Sequence, residues 1–127
     1  MMNCVIEVFI ERAEQLSQSW RLLKDDDSYR AATALNAIHA AIAFNDALLI
    51  KLTGGHHAFQ DHQQAALLAR KECKKHHMDA SGVGHLEKLL RNKSKISYSA
   101  ERTTPELAAA LTVAAERFEK WVLPHLN

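Results

Sequence analysis

The pattern of apolar and polar positions divides the chain into five helical stretches and shows no alternation of the kind a strand carries. One stretch dominates. Residues 29–53, YRAATALNAIHAAIAFNDALLIKLT, lack Pro and Gly and are rich in Ala and Leu, the residues that cost least to hold in a helix. On a helical wheel Leu35, Ile38, Ile42 and Leu49 mark one side, and Ala34, Ala41, Leu48 and Leu52 extend around to the other. A helix that is apolar almost all round belongs in a core or a membrane. Asn36, His39, Asn45, Asp46 and Lys51 interrupt this one, so it falls short of the roughly 18 apolar residues of a membrane span. The expectation is a central buried helix, too apolar for one monomer and shared with a second subunit.

The flanking stretches read as amphipathic helices packed on it. Residues 3–24 carry Val5, Val8, Phe9, Arg12 or Ala13, Leu16, Trp20 and Leu23 at three- and four-residue spacing, with Asn3 as N-cap and Glu7 in the first turn. The acidic run Asp25 to Ser28 breaks the pattern and caps the central helix, and Gly54-Gly55 ends it. A third helix starts behind Asp61 as N-cap, facing Ala65, Leu68 and Cys73 inward, and its basic end from Arg70 to His77 suits the negative end of the dipole. Ala80 to Gly84 is a loop, and a fourth helix runs from His85 to Tyr98. The fifth opens with Thr104 as cap and Pro105 at its first position. Leu107, Leu111, Ala114, Phe118, Trp121 and Val122 form its stripe, and Pro124 stops it. Short connections between five helices imply an all-α, antiparallel up-down bundle, one domain over 1–127.

Composition narrows the function. A net charge of +1 argues against wholesale coating of nucleic acid or anionic lipid and leaves only a local patch for such contacts. Cys4 and Cys73 are too few and too far apart for a disulfide scaffold or zinc knuckle, and read as thiols in a reducing compartment. The apolar start carries Glu7 and Glu11 and no basic leader, so the expected location is the cytoplasm, without membrane attachment. No glycine loop with a following Lys-Ser/Thr marks a nucleotide phosphate site, and no cofactor is implied.

The chemistry concentrates in the fourth helix. Leu86, Leu89, Leu90 and Ile96 define its apolar arc, and Lys93 and Ser97 fall inside that arc one turn apart. Lys88, Arg91 and Lys95 occupy the opposite face, with Tyr98 at its edge. A lysine within an apolar arc either snorkels to solvent or lines a polar cleft, since burying it alone is costly. The leucine pair, the Lys93-Ser94-Lys95-Ile96-Ser97-Tyr98 segment and Ala115-Glu116-Arg117-Phe118, with AIHAAIAFNDALL and DHQQAALLARK before them, resemble the HEPN family of helical nucleotide-binding domains. Many members carry R-x-x-A-D-Y where this chain has Lys93 to Tyr98, and RNase members carry R-x(4–6)-H, often beginning Arg-Asn. Here Arg91-Asn92 is present, but Ile96 and Ser97 stand where the histidine would. Histidine suits proton transfer near neutral pH, so the departure bears on catalysis rather than on fold.

The resemblance implies a homodimer with a cleft between facing helices, binding RNA or a nucleotide. It also implies action beside a nucleotidyltransferase-type partner in a toxin–antitoxin or stress-response pair. In that cleft Arg91 and Lys93 contact phosphate, Tyr98 stacks or hydrogen-bonds, and Ser97 and Asn92 add polar groups. His39 and Asp46, two turns apart on the central helix, are either isolated buried polar groups or partners of Lys93 or Arg91. Two rivals stand beside this reading. One is a metal-independent RNase using Arg91 with His39 or His85. The other is a metal-dependent bundle using His57, Asp61 and His62, where the four-residue step from His57 to Asp61 places ligands on one face. The Glu-x-x-His repeats of di-iron bundles are missing.

Overall fold

In the computed structural model, residues 2–55 and 61–127 are described, with side chains from Val5 onward in the first helix. Among the described residues the chain is all-helical: α1 Met2–Leu23, a 3-10 turn Asp27–Tyr29, α2 Arg30–Thr53, α3 His62–Lys75, α4 Val83–Tyr98 and α5 Pro105–Leu126. His57 lies outside the described residues.

α2 packs against each of the other four helices. Ala34, Ala37, Ile38, Phe44, Ala47, Leu48 and Ile50 are all at most 1 % exposed, so its sides are covered within one chain. The apolar circumference that pointed to a second subunit is therefore satisfied by α1, α3, α4 and α5. Alanines make this possible. Ala13 of α1, Ala66 and Ala69 of α3 and Ala114 of α5 are buried in the same core, and small contact residues let helix axes approach closely. The stretch Asp27–Thr53 is long and apolar enough to cross a membrane, but 72 % of its most apolar window is buried inside the protein, as a core helix requires.

Several helix ends follow their local chemistry. The Asp61 carboxylate accepts from Gln63 N–H at the start of α3, and Thr104 accepts from Leu107 N–H with Pro105 behind it. Gly54 closes α2 in the left-handed region at φ 79°, donating to Ile50 O, a conformation that only glycine holds without steric cost. Other ends differ from expectation. Asn3 lies inside α1 rather than before it. Asp26 caps the 3-10 turn by accepting from Ser28 N–H, and α2 starts without a side-chain cap. α4 begins two residues early, at Val83. Pro124 does not end α5, which continues to Leu126. In the last turn few backbone bonds remain for a proline to break. There His125 packs edge-on against Trp121 at 5.1 Å, and Lys51 Nζ donates to Asn127 O at 3.1 Å.

Polar ties fix the outer helices. Asn36 Nδ2 donates to Ser19 Oγ at 2.9 Å, joining α1 to α2, and the Arg21–Glu119 ion pair at 2.6 Å joins α1 to α5. Arg70 Nε donates to Glu87 at 3.1 Å, joining α3 to α4. The turn before α4 is locked by Trp121, whose indole N–H donates to Asp79 O at 3.1 Å while its ring lies against Gly82. Any Cβ at Gly82 would run into that ring. Gly82→Ala is expected to destabilise the protein by about 1–3 kcal/mol through overpacking, read as a lower urea midpoint. An unchanged midpoint would show that Trp121 moves freely.

Candidate functional site

Three helices bring their polar exceptions to one recess. Its walls are Asp61, His62 and Gln63 from the start of α3 and Leu90, Arg91, Lys93 and Ser94 from α4, enclosing about 340 Å³. His39 of α2 stands beside it, close enough that the Lys93 charge acts on both His39 and His62. A smaller hollow shares His62 and Leu90 with the recess and adds Asn45 and Asp46 of α2. Thus the mostly apolar α2 brings its histidine beside this recess and its carboxylate to the adjoining hollow.

Each side chain arrives by local geometry. Lys93 and Ser97 lie past the buried Leu86, Leu89 and Leu90 on α4, where the arc emerges from the core, and both are half-buried. Lys93 makes no ion pair with a described residue, so it lines the recess as a cation. Arg91 is exposed at the rim. His62 occupies the first helical position of α3, behind its Asp61 cap. That placement also aims the positive end of α3 at the recess.

Burial and a neighbouring cation both disfavour the charged form of the two imidazoles. Burial lowers the His39 and His62 pKa values below the ordinary 6.5, and the nearby Lys93 charge lowers both further. Asp61 partly opposes the effect at His62. The recess therefore holds the Lys93 and Arg91 cations, the Asp61 carboxylate and the His62 imidazole, with the His39 imidazole beside it, and a neutral ring offers one donor and one acceptor nitrogen. Such a set suits an oxyanion: charge from Lys93 and Arg91, directed hydrogen bonds from the rings. Asn45 is 2 % exposed and donates to Ala65 O at 3.4 Å, while its Oδ1 has no partner among the described residues.

The expected site residues divide accordingly. Arg91 and Lys93 line the recess, His39 lies within electrostatic reach of Lys93, and Asp46 lines the adjoining hollow. His39 keeps much of its surface in solvent although its ring is partly desolvated, and Asp46 is half-buried, so neither is an isolated buried polar group. Asn92 turns back on its own helix, donating to Lys88 O at 3.0 Å. Tyr98 is 82 % exposed at the end of α4, one turn beyond Ser94. His85 faces Arg117 and Lys88 rather than Lys93, so it is no partner for this recess. His62, Gln63 and Ser94 were not anticipated in this role. The Asp61 cap was the available signal, since it fixes His62 in the first turn, but nothing along the chain placed that turn beside Lys93. Among the described residues no three His, Cys, Asp or Glu side chains gather as metal ligands do, and Asp61 is occupied as a cap.

No protein-family model matches the chain, and no curated protein matches it.

The lowered histidines have a consequence for stability. A chain unfolded at pH below 6.5 binds protons at His39, His62 and His85 that the folded protein resists. Their contribution is fully present above 6.5 and is lost as the pH falls from there toward the folded values. Asp79 and Glu87, whose carboxyls are held low by Ser81 and by Arg70, add losses in the same direction at lower pH. Thermal midpoints should fall from pH 7 to pH 5, and fall less in His39→Asn/His62→Asn. A midpoint that rises over this interval would contradict the assignment.

Proposed function

We propose that the chain is an HEPN-like domain that binds a phosphate-bearing ligand, RNA or a nucleotide, in the α2–α3–α4 recess. One observation carries the reading: a histidine from α2, a histidine from α3 and a lysine from α4 converge in mutual electrostatic reach, with Arg91 at the rim. Converging donors with an unpaired cation are what a phosphate group needs from a protein. The α4 segment that lines the recess is the one that resembles the family motif. The short connections add an antiparallel up-down bundle and the composition a cytoplasmic location, and the resemblance implies a homodimer working beside a nucleotidyltransferase-type partner.

The direct test is fluorescence anisotropy with a short labelled single-stranded RNA, competed by a nucleoside triphosphate. Lys93→Ala should weaken binding by about tenfold, the scale of one charge-assisted contact, and should flatten the dependence on salt. Lys95→Ala, a change in the Lys95–Glu101 surface pair, should leave affinity near the parent value. Equal affinity in Lys93→Ala and the parent would sink the reading.

A second reading rests on the neutral histidines. An imidazole held unprotonated beside cations is equipped to take a proton from a ribose 2′-hydroxyl, whose oxygen attacks phosphorus while the cations stabilise the phosphorane charge, and the P–O5′ bond then breaks with the 5′-oxygen taking a proton from water. His39 would be the base of a metal-independent RNase, with Arg91 and Lys93 on the phosphate. Cleavage that persists in chelator and disappears in both His39→Ala and Arg91→Ala would establish it, and intact RNA after prolonged incubation would dismiss it.

A further inference from the structure

Asn45 is buried in α2 with only half of its amide in use. Its Nδ2 donates to Ala65 O of α3, and because a carbonyl can only accept, the amide cannot turn over. Oδ1 is the atom left without a partner among the described residues. A buried acceptor with nothing to accept is costly, so it calls for a donor. Asn45 lines the hollow beside the recess, and the other walls are Ile42, Asp46, His62, Ala65, Leu86 and Leu90. That hollow has no room for a water molecule, so the donor has to come from the wall itself. Four of these residues have apolar side chains, and an ionised Asp46 only accepts. The backbone N–H groups of Asn45 and of these walls, His62 aside, stand at or beyond the fourth position of their helices, where they bond within the helix. His62 remains. Its half-buried ring lines both the hollow and the recess, and no described residue hydrogen-bonds it.

We propose that Asn45 is a positioning residue for His62: with a phosphate in the recess, the His62 ring donates one N–H to the phosphate and the other to Asn45 Oδ1. This rests on the phosphate-binding reading above. A neutral imidazole has one N–H and an imidazolium has two, so the ring satisfies both sides only by taking up a proton. In the free protein burial and the Lys93 charge disfavour that proton, while Asp61 favours it. The charged groups around the ring are Lys93 and Arg91 of α4, His39 and Asp46 of α2, and its own cap Asp61. A bound phosphate adds negative charge on one side, and the vacant Oδ1 adds an acceptor on the other. The bound ring therefore keeps its proton to higher pH than the free ring, and affinity rises as the pH falls from above the bound value toward the free one. Asn45 sets part of that rise.

The experiment is binding of adenosine 5′-monophosphate to the full chain between about pH 5.5 and about pH 8, with the His62 ring nitrogens followed by NMR. In the bound parent at the acid end both nitrogens should carry protons, one of them shielded from exchange and close in space to Asn45. Asn45→Leu has a similar branched shape without the acceptor. It should weaken binding by about tenfold at the acid end, the scale of one hydrogen bond to a charged group, and match the parent at the alkaline end, where the ring is neutral in both. Asn45→Asp keeps an acceptor and should keep the gain in affinity at low pH. A purely structural role would instead weaken binding equally at every pH. If Asn45→Leu does not fold, the ring signals of the bound parent decide. A bound His62 with one ring proton, or with both open to exchange, would overturn the assignment and leave the phosphate site standing. Unchanged affinity in a folded Asn45→Leu, or a loss equal at every pH, would do the same. A parent that does not bind the nucleotide at any pH would overturn the phosphate reading and this inference together.

Discussion

Enclosing α2 on every side is the constraint from which the rest of the structure follows. A 24-residue helix with apolar residues around most of its circumference is tolerable in water only if neighbours cover nearly all of it. Four helices do so here, and the alanines at their contacts bring them close enough to do it within 127 residues. Each buried large side chain in such a close-packed interior is costly to truncate: Phe44→Ala or Phe118→Ala falls in the class of changes worth about 3–5 kcal/mol. Polar ties such as Arg21–Glu119 and Asn36–Ser19 then select one arrangement of covers already favoured by burial.

The same constraint determines where chemistry can stand. With α2 enclosed, its polar residues are excluded from most of its surface, and His39 and Asp46 emerge where α3 and α4 leave an opening. α3 presents its capped first turn at that opening, and α4 presents the end of its apolar arc. The polar groups are thus gathered by the packing of apolar ones. Burial first, and the Lys93 charge second, lower the histidines there, and Lys93 and Arg91 offer an anion two cationic contacts beside the Asp61 cap.

What could be read from the sequence was whatever depends on neighbours along the chain. The all-round apolarity of α2, the Asp61 and Thr104 caps, the Gly54 stop and the Leu111–Phe118–Val122 stripe all follow from spacing and local hydrogen bonding. Pro124 misled because its effect depends on how many backbone bonds lie beyond it, and near Leu126 there are few. Val5 and Val8 were placed with the inward residues of α1, yet both are exposed. Val8 lies roughly 140° around the helix from the buried Ala13, outside the narrow strip that packing chiefly on α2 covers. In the site, Lys93 stood out as a lysine in an apolar arc, whereas its neighbour His62 read only as a candidate metal ligand. Their approach depends on how α3 meets α4, a long-range packing outcome that no local pattern encodes.

The central claim is that His39 and His62 face a phosphate together with Lys93. Proton NMR titration of the histidine ring signals, with and without a nucleoside monophosphate, addresses it most directly. In the free protein both rings should titrate below 6.5, and bound phosphate should move both upward while His85 stays in place. Rings that titrate at the ordinary value, or that ignore the nucleotide, would contradict the account.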